Sequence, residues 1–130
     1  MLHFHPERLA VISLRGEKPQ ELVHFYRHVV GLSMLPHHDR PAFDLGNGCH
    51  LVIIKGQPPP PGPEGLRFPA IAFAVADLAK AIQHLQGHGV ELPWGLEASE
   101  HDRWAMFYDP AGNLIEFAQF SRPAQLKESP

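Results

Sequence analysis

Short apolar runs of strand length alternate along the chain with stretches of helical period. Residues 9–14 form the first run. Glu17-Lys18-Pro19 then opens a stretch in which Leu22, Phe25, Tyr26, Val29 and Val30 recur at 3.6-residue spacing, predicting an amphipathic helix that Gly31 ends. Strands are predicted at 32–35, 42–45 and 51–54, separated by Pro36 and by the Gly46-Asn47-Gly48 turn. Beyond residue 68 the order recurs. Residues 70–75 are apolar, and Asp77 is placed to cap a helix because its carboxylate can accept first-turn N–H groups. Leu78, Ala81, Ile82 and Leu85 make the buried stripe of that helix, and Gly87 with Gly89 closes it. Strands are predicted again at 90–92, 104–108 and 114–117, the last two joined by the turn Asp109-Pro110-Ala111-Gly112-Asn113.

The chain therefore spells strand-helix-strand-strand-strand twice. An offset of 58 sets Gly31-Leu32 on Gly89-Val90, and one of 64 sets Gly48 on Gly112, Leu51 on Ile115 and Val52 on Glu116. Between the halves lies Pro58-Pro59-Pro60-Pro61-Gly62-Pro63, an extended connector, because proline fixes φ and lacks a backbone donor. The expected class is α+β: two βαβββ modules at about 8–55 and 68–120 in one domain, with a connector at 56–67. Such a module cannot bury both faces of its sheet alone. The two curved mixed sheets are expected to share an interior, where a small ligand would sit.

Composition narrows the function. A chain of 130 residues with 44% hydrophobic positions can build one core, and a net charge of -3 gives no electrostatic reason to expect nucleic acid or an anionic membrane as partner. The solitary Cys49 excludes an internal disulfide framework and a cysteine-based zinc cluster. It follows a glycine turn without a basic neighbour or helix N-terminus, so it is not read as a nucleophile. No run of about 18 apolar residues occurs, and the first residues carry neither a basic nor a long apolar leader region, so a cytoplasmic protein is expected.

Phe107-Tyr108-Asp109-Pro110-Ala111-Gly112-Asn113-Leu114-Ile115-Glu116-Phe117 resembles the final hairpin of the vicinal oxygen chelate superfamily, which includes glyoxalase I, bleomycin-resistance proteins and extradiol dioxygenases. The segments at 24–32 and 71–78 resemble its first helix and fifth strand. The resemblance implies the paired-module fold and frequent homodimers. It also implies that metal-using members draw ligands from the first and last strands of each module. Carried across, those positions are Leu9 or Ala10, Val52, Ala70 and Glu116. A single carboxylate cannot hold a transition metal that needs three or four ligands, so no metal cofactor is expected.

Other donors leave alternatives open. His50 shares a strand face with Val52 and either approaches Glu116 or is a strand-end histidine beside a turn. His24/His28 and His84/His88 have i,i+4 spacing but lack the glutamate of a His-Glu-x-x-His motif, and read as solvated. His3 and His5 sit on an N-terminal arm, and His37-His38-Asp39-Arg40 reads as a polar turn. Glu116 alternates with Ile115 and Phe117, which turns it toward the expected cavity or leaves it a framework feature of the turn. Its candidate partners are Arg103, Tyr108, His50 or a cationic ligand.

Small Ala70, Ala72 and Ala74 either line that cavity and leave room in it or admit a close-packed aromatic neighbour, while Ile71, Phe73 and Val75 pack under the helix. Trp94, Trp104, Phe107 and Tyr108 are wall or core aromatics, and residues 93–103 form a polar, lid-like loop in which Arg103 either orients an acidic group or is solvated. The expected function is that of a binding protein or a metal-independent enzyme of this superfamily holding a small organic molecule, with Glu116 the best candidate for any catalytic role. The alternatives are a metal-dependent lyase, isomerase or dioxygenase using Glu116 and His50, and a drug-sequestering protein.

Overall fold

A computed structural model describes residues 4–36 and 39–121. His3, His37 and His38 lie outside the described residues. The chain forms two compact units, one ending at Pro59 and the other beginning at Pro60.

The first unit runs β1 (Val11–Gly16), α1 (Pro19–His24), β2 (Ala42–Asp44) and β3 (His50–Lys55). Its mixed sheet has the order β1-β3-β2, with β1 parallel and β2 antiparallel to β3. Past His24 the helix widens into a π-helical turn over Phe25–Val30. Gly31 ends it at φ 91°, a left-handed conformation that glycine adopts without a Cβ clash. Leu22, Phe25, Tyr26 and Val29 are buried, as are Phe43, Leu51 and Ile53 from the sheet. The strand expected at 32–35 is reduced to one bridge, Met34 to Phe43, flanked by Leu35 N–H to Ala42 O (2.8 Å) and Asp44 N–H to Ser33 O (2.9 Å). Pro36, which has no N–H to donate, follows at once and stops the ladder from growing.

The second unit runs β4 (Ile71–Ala74), α2 (Leu78–Gly87), β5 (Glu97–Ala98), β6 (Asp102–Tyr108) and β7 (Leu114–Phe120). The sheet order is β4-β7-β6-β5, with β4 parallel to β7 and the other pairs antiparallel. Asp77 caps α2 by accepting from Lys80 N–H at 3.1 Å, and Gln119 Oε1 accepts from Leu78 N–H at 2.8 Å. Two otherwise orphaned donors of the first turn are thereby satisfied. Ile71, Ile115, Phe117 and Phe107 are buried together with Leu78 and Leu85 of α2.

Two expectations change here. Residues 90–92 form no strand; β5 supplies the edge instead, inside the segment expected to be a lid-like loop. Gly89 at φ 79° and Gly95 at φ 63° bracket that stretch with turn geometry, so its apolar residues cannot extend as a ladder. The turn before β7 is fastened by Asp109, which is 4% exposed. Its carboxylate accepts from Ala111 N–H (2.9 Å), Asn113 N–H (3.0 Å) and the Asn113 side-chain amide (2.9 and 3.2 Å).

Candidate functional site

Register decides which side chains share a face. Ala72 pairs with Glu116, and Glu116 with Met106; Ala74 pairs with Ala118, Ala118 with Trp104, and Trp104 with Glu97. Tyr108 pairs with Leu114, whose carbonyl accepts from Ala70 N–H at 2.8 Å. One face of the second sheet thus carries Ala72, Glu116, Met106, Trp104, Glu97 and Tyr108. Ile71, Phe73, Ile115, Phe117 and Phe107 take the opposite face. Ala70, Ala72 and Ala74 are all exposed, so nothing within this unit covers their end of the sheet.

Two residues join this face that carried no role in the sequence reading. Arg67, on the connector side of β4, makes a two-pronged ion pair with Glu97: Nη1 to Oε1 at 2.7 Å and Nη2 to Oε2 at 2.9 Å. The guanidinium carbon lies 4.5 Å from the Trp94 ring centroid, and Nη1 is 4.0 Å from Met106 Sδ. Trp94 in turn sits 6.1 Å from the Tyr108 ring. A planar cation is therefore held by a carboxylate fork on one side and an aromatic face on the other. No periodic signal marks Arg67, which stands alone in a proline- and glycine-rich stretch. Glu97 could have been found only by placing β5 opposite Trp104.

The two carboxylates of the face behave oppositely. The Arg67 hydrogen bond holds Glu97 below the ordinary glutamate range, with a smaller contribution from the Trp104 indole. Glu116 is pushed up, first by burial and then by the charge of Glu97. Glu116 is half-buried and has no hydrogen-bond or ion-pair partner among the described residues.

The remaining candidates lie elsewhere. Arg103 pairs with Gln119 and Ala98 on the face opposite Glu116, so it is not the partner of that carboxylate. His50 belongs to the first unit, where it opens β3 across from Val11 and Asp44. His24/His28 and His84/His88 are exposed, with ring centroids 4.8 and 4.6 Å apart. An open groove of about 560 Å³ beside α2, lined by residues including Ile82, Val90 and Leu96, includes none of the candidate residues.

A family model for the Glyoxalase/Bleomycin resistance protein/Dioxygenase superfamily matches residues 8–117. The chain belongs to that superfamily. Among solved structures it is similar to TnmS3, an antibiotic binding protein from Streptomyces sp. CB03234, at 26% identity and a TM-score of 0.75 over 92% of this chain and all of that one. It is also similar to a glyoxalase/dioxygenase from Nostoc punctiforme (21% identity, TM-score 0.73, 88% of this chain and 91% of that one). A lactoylglutathione lyase from Agrobacterium tumefaciens is similar at 17% identity and a TM-score of 0.68, over 88% of this chain and 95% of that one. These last two show the fold alone. No curated protein matches the chain.

The residues present do not fit the metal centre that the superfamily implies. Of the four positions carried across, Val52, Ala70 and either Leu9 or Ala10 present hydrocarbon, which has no lone pair to offer; Glu116 alone can ligate. Among the described residues no group of three or more His, Cys, Asp or Glu side chains stands close enough to hold an ion. No described helix is long and apolar enough to cross a membrane.

Proposed function

We propose that the Glu116 face of the second unit binds a small organic molecule without a metal ion, with Trp104, Tyr108 and Trp94 as aromatic walls. The observation that carries this reading is Glu116 itself. A half-buried carboxyl with its pKa raised and no partner among the described residues is poised to exchange a hydrogen bond with whatever covers it. Exposed alanines beside it leave room for an occupant. We take the protein to be a cytoplasmic homodimer, either a binding protein or a metal-independent enzyme. Sequestration of an antibiotic-like molecule is the narrower form of the reading, supported by the likeness to the antibiotic binding protein TnmS3.

The test is a thermal-shift screen of neutral and charged aromatic compounds against the wild-type protein and Glu116→Gln, because a ligand that binds only the native state raises its melting temperature. Compounds that stabilise the wild type and lose that effect in the variant support the assignment; an unchanged response sinks it. Elemental analysis of protein purified without chelator separates the metal-dependent alternative. Stoichiometric metal lost on Glu116→Ala would establish a lyase, isomerase or dioxygenase type of centre instead.

A further inference from the structure

We infer that Arg67 occupies a built-in binding place for a planar organic cation, and that a ligand bearing an amidinium or guanidinium on an aromatic ring takes its place. This rests on the reading that the Glu116 face binds a ligand, and names the ligand's chemistry.

The recognising groups and the occupant sit on different stretches of backbone. Glu97 pairs with Trp104 in the two-residue edge strand β5, and Trp94 lies 6.1 Å from the Tyr108 ring. Arg67 instead comes from the connector side, between Leu66 and Phe68, which are 55% and 68% exposed. Its guanidinium makes the two contacts such a place selects for: paired N–H groups on the Glu97 fork at 2.7 and 2.9 Å, and a flat cation 4.5 Å over Trp94. A ligand amidinium presents the same pair of parallel N–H donors and the same planar charge. Its aromatic ring would extend toward Tyr108 and Trp104, with Glu116 within the same face to accept a further donor.

Arg67 then acts as a tethered competitor. A ligand reaches Glu97 only in the fraction of molecules whose arginine has lifted, so its apparent affinity is lowered by that fraction. An arginine with a merely structural role would not have this effect, since removing it would weaken or leave unchanged the binding of any ligand.

Isothermal titration of the full chain with benzamidine, its neutral isostere benzamide, and benzoate tests the inference. The proteins are wild type, Glu116→Gln, Arg67→Ala, and Arg67→Ala with Glu97→Gln; Arg67→Met, which keeps an aliphatic stem over Trp94, replaces Arg67→Ala if that variant does not fold. Benzamidine is expected to bind the wild type and to bind about tenfold more tightly once Arg67 is gone, with that binding abolished when Glu97→Gln is added. Benzamidine binding no tighter than benzamide in Arg67→Ala overturns the inference. So does benzoate bound by the wild type and lost in Arg67→Ala, which would make Arg67 a ligand contact rather than a stand-in. Benzamide binding that depends on Glu116 would overturn the cation assignment alone, whereas silence of all three probes in every variant would overturn the ligand-binding face as well.

Discussion

The same strand-helix-strand frame presents different side chains on the face away from the helix in its two units: His50, Asp44, Ser13 and Val52 in the first, and Glu116, Glu97, Trp104 and Tyr108 in the second. In the first, the parallel pair sets Ser13 opposite Val52; in the second, the corresponding pair sets Ala72 opposite Glu116. Both sheets bury one face under a helix, and that burial fixes the alternation of large apolar residues on β3 and β7. Nothing in the frame specifies the other face. The second unit uses this freedom to gather Glu116, Glu97, Trp104 and Tyr108, and adds Arg67 from the connector. Residues on the helix-covered faces therefore set the fold, and residues one position along set the chemistry of the other face.

The likeness of the two frames is tested first by their cores. Phe43 and Phe107 are each fully buried, one beside Tyr26 at 6.4 Å and the other edge-on to Phe117 at 4.9 Å. Phe43→Ala and Phe107→Ala should each cost about 3–5 kcal/mol in urea unfolding, through lost burial and the cavity left behind. A cost below about 1 kcal/mol for either would break the equivalence of the two cores.

The turns sharpen the contrast at a smaller scale. Asp109 is buried and satisfies both backbone and side-chain donors, whereas Asp44 is exposed and, among the described residues, its carboxylate accepts from Gly46 N–H at 2.8 Å. Asp109→Ala should cost about 2–3 kcal/mol because it strands buried N–H groups, and Asp44→Ala about 1 kcal/mol or less. Equal losses in the same denaturation series would show that the two turns are held alike.

The smallest effects are those of pH. Glu116 has a folded-state pKa above its ordinary 4.5, so the native state holds that proton more tightly than the unfolded chain. Its contribution to stability is present below that value and is lost as pH rises through the carboxylate range. Glu97 has the reverse sign: its pKa is lowered, so its contribution is present above the ordinary value and disappears as pH falls. Glu116→Gln should therefore gain stability over wild type as pH rises from 4 to 7, while Glu97→Gln loses it. Melting curves across that range check both signs, and a Glu116→Gln variant that falls behind wild type with rising pH would contradict the raised pKa.

Periodicity and turn chemistry made much of this readable. Asp77 announced the start of α2, the 3.6 spacing placed both helices, and the alternation at Ile115, Glu116 and Phe117 put the carboxylate on the face away from α2. Strand edges were less legible. Residues 32–35 and 90–92 are apolar enough for strands, but Pro36 on one side and Gly89 and Gly95 on the other remove the backbone geometry a ladder requires. The site was half legible for a related reason. Residues on one strand share a face by arithmetic, whereas the Arg67–Glu97 pair joins positions 30 apart through a connector with no period of its own. Arg103 has the right chemistry and stands beside Trp104, yet that adjacency is what sends it to the other side of the sheet.

The wide coil at Phe25–Val30 has a consequence for anyone editing this chain. Its backbone closes five residues apart, Gly31 N–H to Tyr26 O at 3.1 Å, which lets the neighbours Phe25 and Tyr26 both turn inward with their rings 5.4 Å apart. The segment works as a one-residue phase shifter between helix and strand. Deleting either Arg27 or His28, both solvent-facing and outwardly dispensable, would tighten the coil and swing Val29 out of the interior by roughly a quarter turn.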